Sequence, residues 1–269
     1  MSKIKILTDC ISDLHPAYMQ RNNIEPIGFY LTLDSGRFMD GYEISATNVL
    51  EYYSENERKI ISNPPPAKEY ADIYRRNLAE NENIIHFSIS SGISNAVPNA
   101  LEAREYLGED AKRVFIVDTK MLSSGMAFLI VKAVEMIEAD ASADEIVKVV
   151  TDMIPKINVS FITQNADHLA INERVSYKVA KIIRTLELRP IFYMDKDGNL
   201  TLPGFKLGIF ESYPKHYIHS RYVILTKSIQ HVLSLLVLAV ARNRLIVMLL
   251  KSKKLFLLRG YIYALLLPQ

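Results

Sequence analysis

Hydroxyl groups concentrate at Ser90-Ser91-Gly92-Ile93-Ser94, where an apolar run stops and a helical pattern begins. Isoleucine and phenylalanine crowd 84–89, as a buried strand requires, while Ala96, Ala100, Ala103, Tyr106 and Leu107 recur at helical spacing. Ser94 or Asn95 can cap this helix, and Pro98 is tolerated in its first turn. A strand-to-helix turn of serines and a glycine predicts free backbone N–H groups and hydroxyls around one point, at the positive end of a helix dipole. Such a point suits an anion. Serines at such a junction also serve simply to end a strand and cap a helix, so spacing alone leaves both roles open.

Other reactive side chains form no complete catalytic signature. The chain has no Walker A loop, no G-x-G-x-x-G, no G-x-S-x-G elbow and no H-E-x-x-H helix. Cys10 stands at a strand end with no histidine linked to it in sequence, so a small turn residue is expected there rather than a nucleophile. His86 lies among Ile84, Ile85 and Phe87, which favours a core imidazole over a ligand. His216 and His219 are a spaced pair without a cysteine or acidic neighbour, and no metal site is expected. Arg174, in Asn172-Glu173-Arg174-Val175-Ser176, can pair with an anion or form a surface salt bridge, and on its own the surface role is expected.

These residues need elements to position them. A short apolar strand at 4–7 ends in the polar turn Thr8-Asp9-Cys10-Ile11-Ser12-Asp13, and a helix is expected over 16–22. A β-rich stretch at 24–33, the turn Asp34-Ser35-Gly36 and Phe38-Met39 predict a hairpin. Ser45 caps a further helix, Ser62-Asn63-Pro64-Pro65-Pro66 is expected to form a stiff loop, and 67–78 restarts a helix. The strand, polar turn and helix pattern recurs at 113–117, Asp118-Thr119-Lys120 and 126–139. Helices over 141–154, 166–171 and 176–188, a strand at 157–162 and a hairpin about Asp195-Lys196-Asp197-Gly198 complete the pattern. The expected fold class is α/β, with a mostly parallel sheet in an N-terminal domain (1–156) and a second, smaller α+β domain (157–269). In open α/β sheets ligands lie beyond the carboxyl ends of strands, so the turns at 8–12, 88–94 and 118–124 are expected to line one crevice.

At 269 residues and 49% hydrophobic, the chain can bury a sizeable core. A single cysteine excludes an internal disulfide framework, and the absence of an apolar leader in MSKIKILTDC leads to the expectation of a cytoplasmic protein. Charge is unevenly divided: every one of the 30 acidic residues precedes residue 212, whereas Asp and Glu are absent from 212–269, which still carries Lys and Arg. With about an eighth of residues acidic in ordinary chains, so long an acid-free stretch arises by chance roughly once in a thousand.

The motifs, taken in order, resemble those of the bacterial DegV family. Thr8-Asp9-Cys10-Ile11-Ser12-Asp13-Leu14 resembles its Thr-Asp-Ser-Thr-Ser-Asp-Leu opening, Ser62-Asn63-Pro64 its Thr-Ser-Gln-Pro loop, and Ser90-Ser91-Gly92-Ile93-Ser94 its Ser-Ser-Gly-Ile/Leu-Ser turn. Asp118-Thr119-Lys120 with Ser124-Gly125, Arg174-Val175-Ser176, and Arg189-Pro190 with Asp197-Gly198 continue the series to about residue 205. The resemblance implies a two-domain carrier that sequesters a long-chain fatty acid and presents its carboxylate to a separate fatty acid kinase. It implies no cofactor, no enzyme activity and no nucleic-acid partner, and it allows transient contact with a membrane surface. The family's carboxylate ligands carry over to Ser62, Ser91 and Arg174, with Gly92 and Ser94 supporting the turn.

The sequence departs from the family at three places. Ile61 replaces the loop threonine, Ile11 replaces a threonine of the opening, and the family's Gly-Pro-Val-x-x-x-His-x-Gly-Pro-Gly-like ending has no counterpart. The tail at 206–269 carries the basic, apolar stretch instead. One account of it is a reading frame that slipped between about Gly204 and Ser220. Two alternatives belong to other classes: a serine- or histidine-dependent enzyme on a small anion, and a membrane-attached protein. The segment at 232–250 is long enough to span a bilayer, but Arg242 and Arg244 fall inside it.

Overall fold

Isoleucine and leucine at alternate and adjacent positions open the chain with β1 (Ile4–Asp9), buried from Lys5 onward, as a strand covered on both faces requires. The computed structural model describes residues 3–56, 60–163, 166–171 and 175–206. Arg174, His216, His219 and the tail from 207 onward lie outside these residues. After β1 a single 3-10 turn, Cys10–Ser12, leads to α1 (Pro16–Arg21), which has proline in its first turn. Then follow β2 (Ile24–Ile27), β3 (Tyr30–Leu33), β4 (Gly36–Met39), α2 (Ala46–Asn56) and β5 (Ile61–Asn63). Ser45 caps α2 as expected, its Oγ accepting from the Asn48 N–H at 3.2 Å.

The three prolines after β5 give way to α3 (Ala67–Leu78), then β6 (Asn83–Ser88), α4 (Ala96–Glu105), β7 (Val114–Asp118), α5 (Ser124–Glu138) and α6 (Ala143–Met153). Four strands form an all-parallel sheet in the order β2-β1-β6-β7. Tyr70, Tyr74 and Ala71 of α3 and Ala100 and Ala103 of α4 are buried with Leu7 and Ile84, while α5 and α6 pack against β6. The mixed α/β class expected from the sequence is therefore present. The parallel sheet is not the whole of this part, however. β3, β4 and β5 form a separate antiparallel sheet, order β4-β3-β5, with Leu31, Leu33 and Ile60 at its core. Ser62 and Asn63, expected in a loop, pair with Leu31 and Tyr30, because only the prolines after them lack the N–H a ladder needs.

Among the described residues the chain divides into two compact units, one of residues up to 154 together with Asp197–Asn199, the other of Pro155–Lys196 and 200–206. In the second, β8 (Ser160–Ile162), β9 (Arg189–Met194) and β10 (Leu200–Lys206) form an antiparallel sheet, order β10-β9-β8. α7 (Asp167–Ile171) and α8 (Tyr177–Thr185) bury Ala166, Ala180 and Ile183 against one another. The β9–β10 register shifts between Thr201 and Gly204, the stretch that holds Pro203. Among the described residues no helix is long and apolar enough to cross a membrane.

Candidate functional site

The carboxyl ends of β1, β6 and β7 lie side by side because those strands are neighbours in the parallel sheet. Hydrogen bonds join the three turns that leave them. Asp9 at the end of β1 reaches Ser88 and Ile89 at the end of β6. Asp118 at the end of β7 reaches Ser91, and Ser123 beyond β7 donates to Asp13 beyond β1. The three turns expected to share one crevice are thus brought together.

Within 90–94 the two adjacent serines take opposite roles. Ser90 is fully buried, its Oγ donating to the Gly198 carbonyl at 2.7 Å and accepting from the Gly92 N–H at 3.1 Å. Ser91 is exposed, and its Oγ donates to Asp118 Oδ2 at 2.5 Å and accepts from Lys120 Nζ at 2.9 Å. Its backbone N–H goes to Asp118 Oδ1 at 3.2 Å. The N–H groups of Ile93 and Ser94 both bond the Ser90 carbonyl, and Ser94 Oγ accepts from the Ala96 N–H, the first of α4. The sequence predicted free N–H groups here, and the structure shows them engaged. A turn this tight satisfies its own donors, as buried or half-buried backbone must.

Asp118 and Lys120 complete the group. Burial alone pushes the Asp118 carboxyl up, but hydrogen bonds from Lys120 and Ser91 outweigh it and hold the group below the usual carboxylate range. Lys120 Nζ lies 2.9 Å from Asp118 Oδ2, and Lys120 takes a left-handed backbone, φ +54°. Such a conformation is uncommon for a lysine and marks a locally over-determined turn.

Beneath these turns sits a polar network that the sequence did not reveal. The fully buried Asp9 carboxylate accepts from Ser88 Oγ at 2.9 Å, Ile89 N–H at 2.7 Å and Tyr70 OH at 3.3 Å. His86 Nε2 lies 3.1 Å from Asp9 Oδ1, and Tyr74 OH lies 2.8 Å from His86 Nδ1. Burial pushes the Tyr74 hydroxyl well above its ordinary range, so it keeps its proton in its contact with Nδ1. His86 is a core imidazole, as its apolar neighbours suggested. Only its spacing from Tyr70 and Tyr74 across β6 and α3 shows why it is there.

Cys10 opens the turn after β1, its Sγ 3.5 Å from Asp40 Oδ2. Burial, with Asp40 adding to it, pushes the thiol far above the range in which a thiolate forms. An apolar cluster of Phe29, Ile89, Ala96 and Met126 lies at the same strand ends, with Cys10, Ile11, Ile93 and Leu122 packed against it. At the start of α5, Ser124 Oγ is buried without a hydrogen-bond partner among the described residues. Also among the described residues, no group of His, Cys, Asp and Glu is arranged to hold a metal.

Of the residues expected to hold a ligand, Ser91, Gly92 and Ser94 share the turn after β6. Ser62 is exposed on β5, and among the described residues it makes no hydrogen bond to Ser91. Its loop is tied to the helix that follows the turn, since Asn99 Nδ2 of α4 donates to the Pro65 carbonyl at 2.8 Å. Arg174 lies outside the described residues.

The family model described as "Uncharacterised protein, DegV family" matches residues 3–205. The chain belongs to the DegV family. A DegV domain-containing protein of Staphylococcus aureus is 28% identical over 202 residues, 75% of this chain and 71% of the relative. Among solved structures, a stearic acid-binding protein from Eubacterium ventriosum matches with a TM-score of 0.74 at 19% identity, covering 86% of this chain and 78% of that one. The Fatty Acid Kinase (Fak) B3 protein of Streptococcus pneumoniae, loaded with linoleic acid, matches with a TM-score of 0.69 at 20% identity over 85% of this chain and 79% of that one. At these identities the likeness to the two solved structures shows a common fold.

Proposed function

We propose that this DegV chain is a carrier that holds one long-chain fatty acid and presents its carboxylate to a separate fatty acid kinase. One observation carries the reading: an exposed hydroxyl, Ser91, stands on the same strand ends as the apolar cluster of Phe29, Ile89, Ala96 and Met126. A small-molecule site of this make-up, mostly apolar with a few convergent polar groups, suits an amphipathic ligand. The fatty acids bound by the E. ventriosum and S. pneumoniae proteins support the ligand class, and the latter's name supports a kinase as partner. In this reading Ser62, Ser91 and Arg174 hold the carboxylate, Gly92 and Ser94 shape the turn, and the protein works in the cytoplasm.

The same geometry argues against group transfer. A Ser91 nucleophile needs a base, yet the neighbouring Lys120 is an ammonium paired with Asp118, and the lowered Asp118 carboxyl is a poor proton acceptor. The departure of the tail from the family ending is read as out-of-frame translation. Reading the underlying DNA in its two other frames tests this, and failure of both to restore the glycine- and histidine-containing segment rejects it.

Native mass spectrometry after expression in bacteria tests the carrier reading. An acyl chain should co-purify with the protein and be lost or strongly depleted in Ser91→Ala. A protein that purifies free of lipid and stays so when incubated with oleate overturns the reading.

A further inference from the structure

Resting on the carrier reading, we propose that Lys120 is a further direct ligand of the fatty-acid carboxylate, an ammonium supplied from the end of β7. Ser91 has one proton to donate, and Asp118 already holds it at 2.5 Å. A carboxylate arriving at Ser91 therefore meets a hydroxyl whose donor is spent and a neighbour of its own charge. Lys120 resolves both difficulties. Its Nζ touches Ser91 Oγ at 2.9 Å and Asp118 Oδ2 at 2.9 Å, which leaves the third of its three N–H donors unassigned among the described residues. The side chain is 35% exposed, so that donor reaches the surface where Ser91 is presented.

The ammonium is also held in place before any ligand arrives. The left-handed Lys120 backbone and its N–H bond to Asp118 Oδ1 at 3.1 Å fix the start of the side chain. Farther along, a Cβ built on Gly198 would come within 2.9 Å of Lys120 Cδ, so the stem runs closely past that turn. A pre-positioned lysine loses less side-chain freedom on binding than a free one. Among the described residues no other lysine or arginine hydrogen-bonds Ser91. The result is a carboxylate site in which Asp118 positions Lys120, Lys120 adds a positive charge beside Ser91, and Ser91 supplies a hydroxyl once it turns from Asp118 to the ligand.

The test compares oleate with methyl oleate, which keeps the acyl chain and lacks the charge, in binding to the full 269-residue chain. The wild type should prefer oleate by about tenfold or more, the range expected of a charge-assisted hydrogen bond. Lys120→Met should erase most of that preference while leaving methyl oleate affinity unchanged, and Lys120→Arg should keep it. Methyl oleate binding reports an intact fold, and Lys120→Gln takes the place of Lys120→Met if the latter loses both ligands. An unchanged preference in the variant that still binds methyl oleate overturns Lys120 as a ligand while the carrier reading stands. Equal affinity of the wild type for the two probes does the same. Failure of the wild type to bind either probe overturns the carrier reading itself and the role of Lys120 with it.

Discussion

Ser91 is gripped twice by Asp118, its hydroxyl by Oδ2 at 2.5 Å and its backbone N–H by Oδ1 at 3.2 Å. The turn at 90–94 does attract an anion, and the anion it holds is a carboxylate from the next strand end. A ligand carboxylate is therefore in competition with an internal one.

That relationship gives the acid behaviour a definite sign. The fold favours ionised Asp118, so its contribution is fully present above the ordinary aspartate value of about 3.9 and is lost as pH falls through the lowered value. Asp118→Asn should cost roughly 1 kcal/mol or less at neutral pH, discounted for solvent screening of a partly exposed group. The gap between variant and wild type in urea midpoints should close in strong acid. A gap that stays constant from neutral pH into acid contradicts the assignment.

Asp9 should be among the least replaceable polar residues. Asp9→Leu leaves Ser88, Ile89, Tyr70 and His86 without the acceptor they share in a fully buried setting. The expected loss is about 3 kcal/mol or more, because several donors are orphaned at once. Urea unfolding measures it, and a loss under about 1 kcal/mol shows that the network is dispensable.

Gly198 tests the packing at Ser90 and Lys120. It has φ +84°, and an added Cβ would lie 2.0 Å from Ser90 Oγ. Gly108, with φ +58° and nothing within 4 Å of such a Cβ, isolates the backbone part of the cost. Gly108→Ala should lose about 1 kcal/mol from strain alone, and Gly198→Ala clearly more. Equal thermal shifts in the two variants show that the close approach at Gly198 carries no cost.

A structural control lies away from the turns. Ser142 and Glu145 form a reciprocal capping box at the start of α6, the Glu145 N–H donating to Ser142 Oγ at 3.3 Å. Ser142→Ala should lower stability by about 1 kcal/mol. Fatty-acid affinity should be unchanged. A drop in affinity with unchanged stability reverses the expectation.

Much of the scaffold is legible in the residue order, because local physics sets it. Residues 67–78 form a helix with the expected bounds, since three prolines stop the strand before it and its buried positions recur at helical spacing. The strand ends at Thr8-Asp9, Ser88 and Asp118 are marked by the change from apolar to hydroxyl or acidic residues, and the order of those motifs already pointed to the DegV family. Ser62 and Asn63 are strand residues that the local sequence does not mark, because their pairing with β3 depends on a partner about thirty residues away.

Only the tertiary structure decided what each polar residue does. Ser90 and Ser91 are the same residue type at adjacent positions, and which is buried against Gly198 and which is presented beside Lys120 follows from the direction of the turn. Asp9 and His86 are 77 residues apart, and parallel pairing of β1 with β6 places them in contact. By itself the sequence determined the elements and the chemistry gathered at their ends. The free N–H groups it predicted were claimed by Ser90 and Asp118, because a folded chain satisfies its buried donors from whatever acceptors the sheet order brings near.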